Sequence, residues 1–260
     1  MTLTYASYLK LDELLELQQP ISESPEHDEM LFIIIHQVYE LWFKEVLHEL
    51  DYLQHRFRDD DTPRVLHTLR RILTILKTMV GQIDILETMT PIEFHSFRNR
   101  LESASGFQSF QFRELEFALG HKRTEVFEFY PEGSKAWKRL KERFHQPSLW
   151  DAFLHYLAQN NYPLPQEILA RDVTKPVKPS PEVQTILIDL YNKDPMRLQV
   201  CERLVDFDEG FQEWRYRHVK MVERTIGNKQ GTGGSQGVQY LTTTLSKPAF
   251  PDLWAIRTQL

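Results

Sequence analysis

Apolar residues recur every three or four positions along most of this chain, in runs long enough to count. Over 28–57 they fall at Leu31, Ile35, Val38, Trp42 and Val46, in a stretch rich in Leu, Ile and Glu and free of Gly and Pro. Side chains three and four apart share a helical face, so this spacing predicts one long helix. A second run follows Pro63, with Leu66, Leu69, Leu73, Leu76, Val80 and Ile83, and reaches about 89. The short connection predicts antiparallel packing of the two. Thr90, Pro91 and Glu93 then supply an N-cap, a proline at the first helical position and a carboxylate that reaches back to the cap. A short helix carrying Phe94, Phe97, Arg98 and Leu101 is expected there.

Ser103, Ala104, Ser105 and Gly106 interrupt it, because serine favours local turns and glycine tolerates positive φ. Helical spacing resumes over 107–119, and Gly120 stops it. Proline-bounded stretches predict smaller helices at 134–145, at 149–160 after the Ser148 cap, and at 181–192, with 162–181 as loop. A last long helix is predicted over 196–226, its apolar face marked by Leu204, Phe211, Trp214, His218, Met221 and Val222. Beyond it, five of the ten glycines fall within 227–237, which predicts a flexible loop. Strand-like alternation is nearly absent. The expected fold is all-α: one domain over 1–260, a bundle of long antiparallel helices with shorter helical excursions and a glycine-rich C-terminal loop.

Composition adds exclusions. With 41% apolar and 12% aromatic residues in 260, the chain has ample material for a core. Its 37 acids and 31 bases are interspersed and give a net charge of −6, with no basic stripe for nucleic acid. The longest apolar run, 30–35, is far short of the roughly 20 residues that cross a bilayer. The single cysteine, Cys201, excludes an internal disulfide, and the N-terminus lacks a basic start followed by an apolar run. A cytoplasmic protein is expected.

His218 and two residue pairs carry the first candidate chemistry. His218 lies on the apolar face of the last helix, where a neutral imidazole could ligate haem iron while Trp214, Met221 and Val222 cover the macrocycle. A core histidine satisfied by backbone or water fits that spacing equally well. Phe32 and His36, four apart, project from one face and could meet a planar substrate, by packing and by a hydrogen bond. Phe94 and Arg98 repeat the spacing, and an arginine held against an aromatic ring can grip a carboxylate. Ordinary half-buried and solvated side chains would look the same. The GTGGSQG loop lacks the strand and the Gly-Lys-Ser/Thr ending of a phosphate loop, and suits a ligand-ordered lid in which Thr232 offers a hydroxyl. A competing metal reading rests on two Glu-x-x-His pairs, Glu45 with His48 and Glu142 with His145, the pattern of di-iron bundles. A non-catalytic binding protein is a third reading.

Taken together, several long motifs in order resemble the tryptophan 2,3-dioxygenase family. They are YASYLKLDELL at 5–15, HDEMLFIIIHQVYELWFKE at 27–45, TPIEFHSFR at 90–98, SGFQSFQFRELEFALG at 105–120, FQEWRYRHVKMVERTIG at 211–227 and GTGGSQGV at 231–238. The resemblance implies haem b between the helices, one per subunit, with His218 as proximal iron ligand and His36 as distal histidine accepting a hydrogen bond from the indole N–H. It implies that Arg98 pairs with the carboxylate of L-tryptophan, Thr232 contacts the amino-acid end, Phe32 packs on the indole, and Ser105 and Gly106 border the haem. Phe94 stands where many bacterial relatives carry a tyrosine whose hydroxyl also reaches the carboxylate, so Arg98 would act without that partner. The resemblance further implies a homotetramer in which the segment 1–20 reaches a neighbouring subunit, with Tyr5 and Tyr8 helping to close its pocket. The implied reaction inserts both atoms of O2 across the indole C2–C3 bond and gives N-formyl-L-kynurenine, the first step of tryptophan catabolism by the kynurenine route.

Overall fold

Thirteen α-helices and no strand make up the described residues of the computed structural model, which are 2–24, 26–229 and 237–260. Two short helices, α1 (Tyr5–Leu9) and α2 (Leu11–Leu15), precede the two long ones, α3 (His27–Arg58) and α4 (Thr62–Leu86). Then follow α5 (Pro91–Arg98), α6 (Phe110–Ala118), α7 (Lys135–Phe144), α8 (Leu149–Gln159), α9 (Gln166–Leu169) and α10 (Pro181–Lys193). The chain closes with the long α11 (Pro195–Ile226) and the short α12 (Val238–Thr242) and α13 (Pro251–Ala255). The all-α expectation holds, and the predicted elements lie within a few residues of the observed ones.

Their ends have local causes. At α5 the Thr90 hydroxyl accepts from the Glu93 amide at 3.4 Å while the Glu93 carboxylate accepts from the Thr90 amide at 2.6 Å, the reciprocal cap that the sequence predicts. Ser148 and Asp151 do the same for α8. Gly120 ends the segment containing α6 at φ 92°, and a Cβ there would lie 2.7 Å from the Val177 side chain, so no other residue fits that turn without displacement.

Three residues connect α3 to α4, which lie antiparallel in contact, and α4 also packs along α11. Being sandwiched, α4 buries a wider arc than one stripe. Of the predicted face, Leu69, Leu76 and Ile83 are buried, whereas Leu66, Leu73 and Val80 lie at the core edge and Val65, Ile72 and Met79 take the interior. A similar rotation affects α3: Tyr39 and Phe43 are buried, while Val38 and Trp42 are only half-buried. The stretch 107–119 is also not one helix, because a 3-10 turn over Gly106–Gln108 precedes α6, whose cap is Ser109. Within 162–181, expected as loop, the short α9 forms.

The main core joins Leu50, Leu53 and Phe57 of α3, Leu69 of α4, Phe153 of α8 and Phe207 of α11. Leu50→Ala is therefore expected to destabilise the fold by about 2–5 kcal/mol, through lost burial and the cavity left behind. Urea unfolding followed by circular dichroism measures this, and a shift under about 0.5 kcal/mol, the usual range for surface positions, would place Leu50 outside the core.

Candidate functional site

A cavity of about 700 Å³ opens between α3, α5, α6, α11 and α12. That volume is within the range of small-molecule and cofactor sites, roughly 300–1,000 Å³. Most of its wall is apolar and aromatic: Phe43 and Phe112 on one side, Trp214, Val219 and Val222 on another, Leu86 and Met89 at the end of the α4 segment. Phe32, His36, Phe94, Arg98, Ser105, Gly106 and His218 all reach it. Predicted site residues as far apart in sequence as Phe32 and His218 thus share one space.

His218 makes no hydrogen bond to any described residue, and its ring stacks on Trp214, four residues earlier on α11, at 5.4 Å and 13°. Burial pushes its pKa down to about 4, with His36 and Arg113 adding smaller repulsions, so the imidazole is neutral at physiological pH. Among the described residues no backbone group satisfies it. A neutral nitrogen donor without a protein partner, fixed in plane by an indole and facing a large apolar space, fits an axial ligand of haem iron.

His36 is held differently. Its Nδ1 donates to the Phe32 carbonyl oxygen at 2.7 Å, and since a carbonyl only accepts, Nδ1 carries the proton. Burial lowers the His36 pKa, outweighing that backbone bond and the nearby Glu40, so the ring stays neutral and Nε2 is left as an acceptor. The Phe32 and His36 rings lie 4.1 Å apart, and Phe32 meets Phe94 at 5.7 Å and Phe97 at 5.5 Å. An aromatic wall with one acceptor nitrogen suits a flat ligand bearing an N–H. Arg98, at the last position of α5, brings a guanidinium to the same cavity, one turn after Phe94. Ser105 caps the turn over Gly106–Gln108 that forms part of the rim.

The remaining expectations fall outside this space. Thr232 lies outside the described residues. Tyr5 and Tyr8 are 76% and 71% exposed on α1, away from the cavity of their own chain. The di-iron reading fails: His48, Glu142 and His145 are exposed, and among the described residues no group of three or more His, Cys, Asp or Glu is placed to hold a metal. Sequence reasoning missed Arg113, Glu116 and Arg215, which also line the cavity. The Arg113 to Glu116 spacing of three was the available signal, but charged pairs at that spacing are ordinarily solvated.

Fold and site together define a helical protein with a cavity of about 700 Å³ suited to a flat, mostly apolar ligand beside two neutral histidines. Comparison with known proteins makes this specific. The profile of the family described as Tryptophan 2,3-dioxygenase matches residues 1–138 and 184–260. Proteins named tryptophan 2,3-dioxygenase from Herpetosiphon aurantiacus and from an Anaeromyxobacter species, strain K, are 62% and 57% identical to this chain, covering 99% of it and 98% and 96% of themselves. One from Caulobacter vibrioides is 44% identical, covering 99% of this chain and 98% of its own. The chain belongs to the tryptophan 2,3-dioxygenase family.

Proposed function

We propose that this chain oxidises L-tryptophan with O2 to N-formyl-L-kynurenine, opening tryptophan catabolism by the kynurenine route, with haem b held through His218. The observation that carries this reading is the His218 imidazole: neutral, stacked on Trp214, without a hydrogen bond among the described residues, and facing the 700 Å³ cavity. Haem iron, when bound, supplies the activation of O2. The protein's share is orientation, dryness and placement of charge.

The Phe32 ring packs the indole, with Phe94 beside it on the cavity wall and Phe97 behind them both. His36 Nε2 accepts from the indole N–H, because Nδ1 is committed to the Phe32 carbonyl. Arg98 pairs with the carboxylate of the amino acid, and Thr232 contacts the same end from the glycine-rich loop. Ser105 and Gly106 border the macrocycle at the rim. With Phe94 in place of a tyrosine, no hydroxyl at that position assists Arg98.

The whole of 1–260 forms one functional domain, and the segment 1–20 reaches a neighbouring subunit of a homotetramer. What supports this is the surface of α1 and α2, which bury no residue of their own, while Leu3, Tyr5, Tyr8, Leu15 and Leu17 stand exposed. Apolar side chains in such density ask for a partner surface. The single cysteine, Cys201, unpaired and buried, supports a reducing, cytoplasmic location. No helix among the described residues is long and apolar enough to cross a membrane.

The test is an absorption spectrum of purified, haem-supplied protein, reduced and then given L-tryptophan and O2. A Soret band followed by the formylkynurenine chromophore is the expected result. A Soret band without turnover would leave a binding protein, and no Soret band would remove the haem reading. In the same assay His36→Ala should keep its haem and lose about three- to tenfold in kcat/KM, the worth of one neutral hydrogen bond, about 0.5–1.5 kcal/mol. Complete loss of turnover would instead make His36 an obligatory proton acceptor.

A further inference from the structure

The segment 1–20 is held at its root and not at its tip. Over α1 and α2 no residue is buried, and Tyr5 and Tyr8 stand exposed. From Leu17 onward the chain is tied to its own fold. The Gln37 side chain on α3 donates to the Leu17 carbonyl oxygen at 3.0 Å, and its Oε1 accepts from the Gln18 side chain. Four residues further on, the Ile21 amide donates to Glu29 Oε1 at 2.7 Å and the Ser22 amide to Glu29 Oε2 at 3.3 Å. The Ser22 hydroxyl accepts from Arg100 at 3.1 Å, and the Arg100 guanidinium lies 3.9 Å from the Glu26 carboxylate.

Glu29 stands in the first turn of α3 and is only 1% exposed. A carboxylate so deeply placed is costly unless hydrogen bonds satisfy it, and each of its oxygens accepts from one of two consecutive backbone amides. Two donors on two acceptors fix the direction of the backbone as well as its position. Arg100, in the 3-10 turn Asn99–Leu101 that follows α5, grips the adjoining Ser22 side chain. Ser22, Glu29 and Arg100 do not line the cavity of their own chain. Between this clamp and the tyrosines lie only the rest of α1, α2 and the segment 16–20, so the angle set at 21–22 governs where Tyr5 and Tyr8 arrive.

We infer that Glu29, with Arg100, is a positioning residue for the reaction of the neighbouring subunit: it clamps residues 21–22 so that Tyr5 and Tyr8 are delivered to that subunit's cavity. The inference rests on the reading that the segment 1–20 reaches a neighbouring subunit.

Glu29→Ala should keep the helical circular dichroism and the Soret band of the wild type and raise KM for L-tryptophan at least about threefold, the scale of one lost hydrogen bond. A change at Glu29 can also act within its own pocket, since Phe32 lies one turn later on α3. Hybrid oligomers separate the two routes. Differently tagged Glu29→Ala and His218→Ala chains are co-expressed with the His218→Ala chain in excess, and oligomers carrying both tags are purified. Turnover then comes from the Glu29→Ala chains, most of whose neighbours supply an intact clamp, so KM should return towards the wild-type value. In the reverse hybrid both substitutions sit on the chain in excess and the minority chain is wild type. There KM should be raised although every working cavity is unaltered.

A raised KM that persists in the first hybrid and is absent from the reverse one places the effect in the pocket of the altered chain itself and overturns the inference. So does an unchanged KM in Glu29→Ala. If Glu29→Ala does not fold, Glu29→Gln, which keeps one acceptor oxygen, is carried through the same two hybrids. A double variant, Tyr5→Ala with Tyr8→Ala, keeps the two failures apart. A raised KM there, rescued by neighbours, with none in Glu29→Ala removes the clamp alone, whereas a wild-type KM in both sinks the reading of the segment 1–20 itself.

Discussion

His218→Ala is expected to lose its Soret band while keeping the helical circular dichroism of the wild type. Among the described residues the imidazole makes no hydrogen bond, whereas His36 is tied to the Phe32 carbonyl through Nδ1 and its Nε2 is assigned to substrate. Removing it takes away the protein's bond to iron. The fold should survive because His218 faces the cavity and is not among the core residues, while α11 is anchored in the main core by Leu204, Phe207, Phe211 and Trp214. Turnover should fall below about 1% of wild type, more than about 2.7 kcal/mol of barrier. External imidazole, small enough for the vacated space, should restore part of the Soret band. Full haem occupancy and activity without added imidazole would rule out the assignment.

The second large effect is at Arg98. A guanidinium matched to a carboxylate makes two parallel hydrogen bonds in a largely dry pocket, whereas an ammonium offers a point charge at a different reach. Arg98→Lys should therefore be nearly as harmful as Arg98→Ala, raising KM for L-tryptophan at least about tenfold, or ~1.4 kcal/mol. No tyrosine hydroxyl stands at position 94 to share the load. Difference titrations with L-tryptophan and with a carboxylate-free indole ligand separate the causes. The indole ligand should bind wild type and both variants alike. Equal weakening for the two ligands would mean that Arg98 shapes the cavity and does not recognise the carboxylate.

Both predictions concern residues that the sequence singled out, and the reason is the way helices space side chains. Phe32 with His36, Phe94 with Arg98, and Trp214 with His218 are each one turn apart, so each pair could be placed on one face before any packing was known. What spacing could not supply was the choice between a site and an ordinary core. What bears on it is that the His218 ring makes no hydrogen bond among the described residues and faces a cavity whose other walls come from elsewhere in the fold.

Local chemistry determined the rest of what was legible. The Thr90 to Glu93 and Ser148 caps, the stop at Gly120 and the lengths of α3, α4 and α11 follow from interactions between residues a few positions apart, which the sequence states directly. Tertiary structure decided which arc of each helix faces inward. On α4 it turned the interior from Leu66, Leu73 and Val80 towards Val65, Ile72 and Met79, because two long helices press on it from different sides. It also decided that Arg113, Glu116 and Arg215 are buried. An arginine or glutamate reads as a solvated residue wherever it stands, and only a partner 99 positions away can make its burial affordable, as Arg215 does for Glu116.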